Sequence, residues 1–177
     1  MNDFTRLHTD LLHKLELGAR VHLELSDQLL DDIEQRWAEA LTEQNDQKLN
    51  AIMCVLDHAR HPTGRFENLF FLTLEKPLQV QILIVTLACS WKHLIERWTR
   101  NGDRIPERYL NILRSFLGHQ ELEMREWTLR TIDQIGPQGR LLAKEIFACK
   151  KPLYGLINPH AKAINQMIGM FEKRWNI

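Results

Sequence analysis

The stretch Ile82-Leu83-Ile84-Val85-Thr86-Leu87-Ala88-Cys89 is the most apolar run in the chain, and its reading decides the fold. Taken alone it fits a buried β-strand, a short membrane segment, or a helix that is apolar all round. A bilayer span needs roughly 18–20 apolar residues, so this run is far too short. Its flanks decide between the other two. Pro77 is suited to the start of a helix. Downstream, Trp91, Leu94, Ile95 and Trp98 continue an apolar stripe at helical spacing. The run is therefore expected to be a central helix covered on most of its circumference. Ile82 and Ile84 then require a cover, either a terminal helix or a partner.

Helix signals also dominate the rest of the chain. A first helix is expected over Phe4–Leu17, with Leu7, Leu11, Leu12 and Leu15 on one side and Gly18 as its stop. A second starts at the N-cap Ser26 and carries Leu29, Leu30, Ile33, Trp37 and Leu41. A third runs from Asp46, as its cap, to Arg60, and Pro62 follows. A fourth, Arg65–Leu74, ends at Lys76-Pro77. Beyond the turn Asn101-Gly102-Asp103, Pro106 opens a helix with Tyr109, Leu110, Leu113 and Leu117 in register. Further helices are expected over Leu122–Ile135, Gln138–Cys149 and His160–Trp175. No alternating strand pattern between hairpin turns occurs.

The 177 residues suffice for one domain with a sizeable core. Apolar residues make up 44% and charged residues 26%, an ordinary globular balance. Net charge is zero but unevenly spread. Residues 1–88 hold 14 acidic and 8 basic side chains, and residues 89–177 hold 9 acidic and 15 basic. The second half could therefore attract an acidic partner. Cys54, Cys89 and Cys149 are widely spaced among apolar neighbours, which suggests a reduced, cytoplasmic chain without a disulfide framework. The N-terminal stretch lacks the apolar core of a signal peptide.

Two segments repeat one pattern. Placing Met124 on Val80, a shift of 44, lays Arg125 on Gln81, Leu129 on Val85, Ile132 on Ala88 and Ile135 on Trp91. Both helices follow a shorter amphipathic one. A pair of helices at this period is the signature of a helical array. Over Glu123–Pro137 the sequence resembles the second helix of a HEAT repeat. An acidic residue, an apolar residue and Arg125 come first, apolar positions Leu129, Ile132 and Ile135 follow, and Gly136-Pro137 closes the helix. Trp127 and Thr128 stand where that family usually has small alanines, and Gln81 stands where the upstream unit would have arginine.

The resemblance implies an all-α fold of stacked antiparallel helix pairs, as a short right-handed α-solenoid or a compact array. Candidate pairs are residues 26–62, 63–105 and 106–150, with 151–177 as a loop and capping helix, all within one domain, 1–177. In such arrays second helices line the concave side. The stack also gives Arg125 a structural role, reaching sideways to acceptors in the next turn.

No catalytic motif stands out. There is no Gly-x-Ser-x-Gly and no glycine-rich phosphate loop. His58 and His61 share a spacing suited to a metal, but no third ligand lies near in sequence. Asp27, Asp31, Asp32 and Glu34 complement a helix N-terminus. Asp133, late in its helix, is better placed to bond across to a neighbouring unit. Neither cofactor nor metal is expected, and no enzyme activity is indicated. Two groups of residues suggest a binding surface instead. Trp127, Arg130 and Gln134 share a face of one helix. Arg97, Trp98, Arg100 and Arg104 combine arginine with tryptophan, as protein hot spots and nucleic-acid surfaces do. The expected function is a protein or peptide interaction module. The alternative is a nucleic-acid binder akin to the HEAT-like DNA alkylation-repair proteins.

Overall fold

A computed structural model describes residues 3–150 and 157–176. Among them the backbone is helix and turn, without a β-strand; Leu23 and Ala59 form an isolated parallel bridge. The helices are α1 (Asp3–Glu16), α2 (Asp27–Glu43), α3 (Asp46–Asp57), α4 (Glu67–Glu75), α5 (Val80–Ser90), α6 (Glu96–Asn101), α7 (Glu107–Leu117), α8 (Leu122–Ile135), α9 (Ala143–Ala148) and α10 (Pro159–Trp175). Short 3₁₀ segments cover Gly64–Phe66 and Gly136–Leu142, and Trp91–Ile95 is a π turn. No helix among the described residues is long and apolar enough to cross a membrane.

The opening run is a helix. In α5, Ile82, Leu83, Ile84, Thr86, Leu87 and Cys89 are all buried. The cover comes from the chain itself, because α5 packs against α3 on one side and α4 on another. The expected start at Pro77 is wrong. Lys76, restricted by the following proline, is extended, and the helix begins after Gln79.

Two other boundaries move for reasons the local sequence does not carry. Asn45, not Asp46, caps α3, its side chain accepting from the Lys48 N–H at 3.0 Å. Gln44 ends α2 with a left-handed backbone, which brings Asn45 into the capping position. The same helix stops at Asp57 rather than Arg60. Leu23 donates to the His58 carbonyl and accepts from the Arg60 N–H, each at 2.8 Å, and this bridge draws residues 58–60 out of the helix.

The described residues divide into two compact units, Met1–Leu94 and Ile95–Ile177. In the first, α2 packs on α3 and α4 on α5, while α2 also meets α4 and α3 meets α5. The side-by-side helices run in the same direction. Between α2 and α4, or the 3₁₀ turn just before α4, Arg65 pairs with Asp31 and Glu34, Trp37 bonds Thr73, and Lys76 bonds the Leu41 carbonyl. Between α3 and the α5 end, Cys89 faces the Met53 carbonyl and His93 bonds the Leu56 carbonyl. These side-chain partners lie 31 to 37 residues apart. Helix α1 lies over α2 and α3.

The second unit is built of the remaining helices. Helix α8 packs on α7 and on α10, and α9 packs on α7. Again the side-by-side helices are co-directional. Glu126 meets His160 and Asp133 meets Arg174 between α8 and α10, while Arg114 meets Glu145 and Leu117 meets Cys149 between α7 and α9. The 3₁₀ segment lies so close on α8 that a Cβ at Gly139 would come within 2.7 Å of Ile132 Cγ2, which requires glycine there.

Candidate interaction site

The most organised polar cluster centres on α8. Met124, Thr128, Leu129, Ile132 and Ile135 face the core. On the turn beside them, Glu126 is also buried, with its side chain only 11% exposed. A buried carboxylate needs cationic partners. Arg130, one turn on, donates from Nε at 3.0 Å and from an η nitrogen at 2.6 Å, both to Oε1. Oε2 lies 2.8 Å from Nδ1 of His160 at the start of α10. Burial alone would raise the Glu126 pKa. The hydrogen bonds from Arg130 and His160 outweigh it and hold the carboxyl below its ordinary value. An ionised carboxylate only accepts, so Nδ1 of His160 carries the proton in that contact.

Trp127 completes the cluster. It is half-buried, and the Arg130 guanidinium stacks over its ring at 5.6 Å. Arg130 is thus fixed twice, by a carboxylate below and an indole beside it, while its side chain stays 53% exposed. Gln134, one turn further, is exposed. The structure therefore brings Trp127 and Arg130 together, with Gln134 next along the helix. Asp133 bonds out of its own helix as expected, accepting from Arg174 of α10 at 2.6 Å. Arg125 does not reach sideways. Its Nε turns back to the His119 carbonyl in the turn before α8.

The other basic–aromatic group is arranged differently. Trp98 is 4% exposed, its ring edge-on to Tyr109 at 5.3 Å, so it offers no contact surface. The same helical stripe that suggests a hot spot places it in the core. Arg100 is held by Glu96 within α6, and Arg97 is half-buried. Arg104 is exposed, in a turn whose backbone is pinned on both sides by Gln138: the Asp103 carbonyl accepts from Nε2 at 3.0 Å and the Ile105 N–H donates to Oε1 at 2.9 Å.

The two histidines of the spaced pair are engaged separately. His58 Nδ1 contacts its own helix at the Cys54 carbonyl, while His61 is 3.8 Å from Glu24. Among the described residues no group of three potential ligands gathers. Cys89 is buried, and burial pushes its thiol pKa far up, which makes it unreactive. Two residues central to the polar architecture, His93 and His160, read as isolated in the sequence. Their partners are 30 to 37 positions away, and no local pattern announces them.

Compared with protein-family models, with curated proteins and with solved structures, the chain matches none.

Proposed function

We propose that this chain is a non-catalytic interaction or scaffold module, built of HEAT-like helix pairs, whose partner surface centres on Trp127, Arg130 and Gln134. The co-directional packing of α2 on α4, α3 on α5 and α8 on α10 supports the stacked-pair reading. The observation that carries the functional reading is the clamp on Arg130. A surface arginine normally loses side-chain freedom on binding, whereas one already held by Glu126 and Trp127 has lost it beforehand. Tryptophan and arginine are also the residues that most often anchor interfaces.

The test compares wild type with a Trp127→Ala/Arg130→Ala variant in capture from native lysate, with circular dichroism as a fold control. The expected result is loss of specific partners with an unchanged spectrum. Identical partner sets from two equally folded proteins would sink this reading.

A nucleic-acid-binding reading draws on residues 95–177, which hold 14 basic and 9 acidic side chains. Against it, Arg100, Arg114, Lys150 and Arg174 are already engaged with carboxylates. Labelled duplex DNA decides: affinity falling steeply between about 50 and 200 mM salt would favour that reading over the first.

A further inference from the structure

We propose that His93 is an acid-sensitive latch: when its ring takes up a second proton, residues 61–64 are released while the helices around them stay folded. Two hydrogen bonds fix the tautomer. A carbonyl only accepts, so Nε2, 2.9 Å from the Leu56 carbonyl, carries the ring proton. Nδ1 is then the bare nitrogen, and it accepts from the Thr63 N–H at 3.0 Å. A protonated ring donates from both nitrogens. The Leu56 bond survives that change. The Thr63 bond does not, because two donors then face each other. The ring is carried on the π turn Trp91–Ile95, and such turns recur at functional sites.

The surroundings do little to hold a charged ring. Lys92, next to it in the chain, and Asp57, at the end of α3, act on it in opposite directions, and Lys92 acts the more strongly. From α4 the ring meets the uncharged Phe70, stacked at 5.9 Å. The charges of the connection face elsewhere: Arg60 and His61 lie against Glu24, and Arg65 against Asp31 and Glu34. Burial therefore decides, and it keeps the ring neutral until acid forces the change. Two anchors that do not involve His93 confine the movement. The Arg60 N–H is bonded to the Leu23 carbonyl at 2.8 Å, and Arg65 is held by its two carboxylates. Between these anchors, Pro62 and Thr63 form one wall of a cavity of about 130 Å³, with Leu23, Leu25, Leu30 and Ala59. Release of that wall opens the cavity. None of these residues is Trp127, Arg130 or Gln134, so the outcome is independent of the function proposed above.

Amide hydrogen exchange of the purified full chain, read residue by residue by NMR from about pH 7 down to about pH 4.5 and corrected for the intrinsic rate, tests this. Protection of the Thr63 amide should fall about tenfold per pH unit below about pH 6.5, where a released histidine binds its proton. The amides of Ile52 in α3 and Leu87 in α5 should stay at least about tenfold better protected throughout. At about pH 7 the ring nitrogen shifts should show a bare Nδ1. His93→Gln cannot titrate, so its Thr63 amide should lack this pH dependence. Equal protection of Thr63, Ile52 and Leu87 in acid would mean that the whole unit unfolds together, and it overturns the proposal. So does a Thr63 amide indifferent to pH, a protonated Nδ1 at about pH 7, or the same pH dependence in folded His93→Gln.

Discussion

In Met1–Leu94, the same-direction helices are joined mainly through buried polar groups, beside the exposed pairing of Arg65 with Asp31 and Glu34. Trp37 donates from its indole to Thr73 Oγ1 at 2.8 Å, and Thr73 in turn donates to the Leu69 carbonyl at 2.7 Å. His93, without solvent exposure, accepts from the Thr63 N–H and donates to the Leu56 carbonyl. In Ile95–Ile177, the corresponding joints are mostly ion pairs at the surface, Asp133 with Arg174, Arg114 with Glu145 and Lys150 with Glu172, beside the hydrogen bond between the buried Glu126 carboxylate and His160. A buried hydrogen bond is costly to leave half-made, whereas an exposed ion pair in water contributes little. The first unit should therefore respond strongly to single substitutions and weakly to salt, and the second the reverse.

The largest expected effect is at Trp37. Its ring is fully buried and packs edge-on to Phe70 at 4.9 Å and tilted to Phe66 at 5.7 Å. Trp37→Ala removes that packing and the Thr73 bond together, for a loss of about 4 kcal/mol by urea unfolding. Trp37→Phe keeps most of the packing and should cost about 1 kcal/mol. Equal losses for the two would mean that the hydrogen bond, rather than the ring, holds α2 to α4.

His93 comes next, and its effect depends on pH. Burial holds its pKa below the ordinary histidine value, so the folded state keeps the ring neutral. The unfolded chain binds that proton more readily. Stability is then fully present above about pH 6.5 and declines as pH falls through that region toward the depressed folded value. His93→Gln should remove this slope and cost about 2 kcal/mol at pH 7, because a flexible amide replaces a buried ring that stacks on Phe70 at 5.9 Å. A slope unchanged in the variant would assign it to another group.

Most of this architecture was legible in the sequence, and what was not has one cause. Apolar periodicity predicts α8 to the residue and assigns the opening run to a helix, because burial of a face is a local pattern. The candidate pair Trp127 and Arg130 was legible for the same reason: three positions apart on a helix, they must be neighbours. Trp98 obeys that periodicity too, and it signals core there rather than surface. Glu126, His93 and His160 owe their roles to partners on other helices. Periodicity tells which side of a helix is buried and is silent on what it is buried against. The π turn at Trp91–Ile95, which carries His93 into the core, has no signature of its own.

The smallest expected effect sharpens the comparison from the second unit. Asp133 and Arg174 meet at 2.6 Å with side chains 32% and 46% exposed, so water and salt screen the pair. Asp133 sits in the last turn of α8, where a carboxylate faces the negative end of the helix dipole. Removing it therefore also relieves a repulsion. Asp133→Asn should change stability by only about 0.5 kcal/mol at low salt, and by less at about 1 M salt. Arg174→Gln loses the same bond without that relief, and it loses the stacking of its guanidinium on Phe171 at 5.8 Å. It should accordingly be the more damaging of the two, and the difference should survive in high salt. If instead Asp133→Asn cost as much as Trp37→Phe, with no salt dependence, this joint would be behaving as a buried bond, and the contrast between the two units would fail.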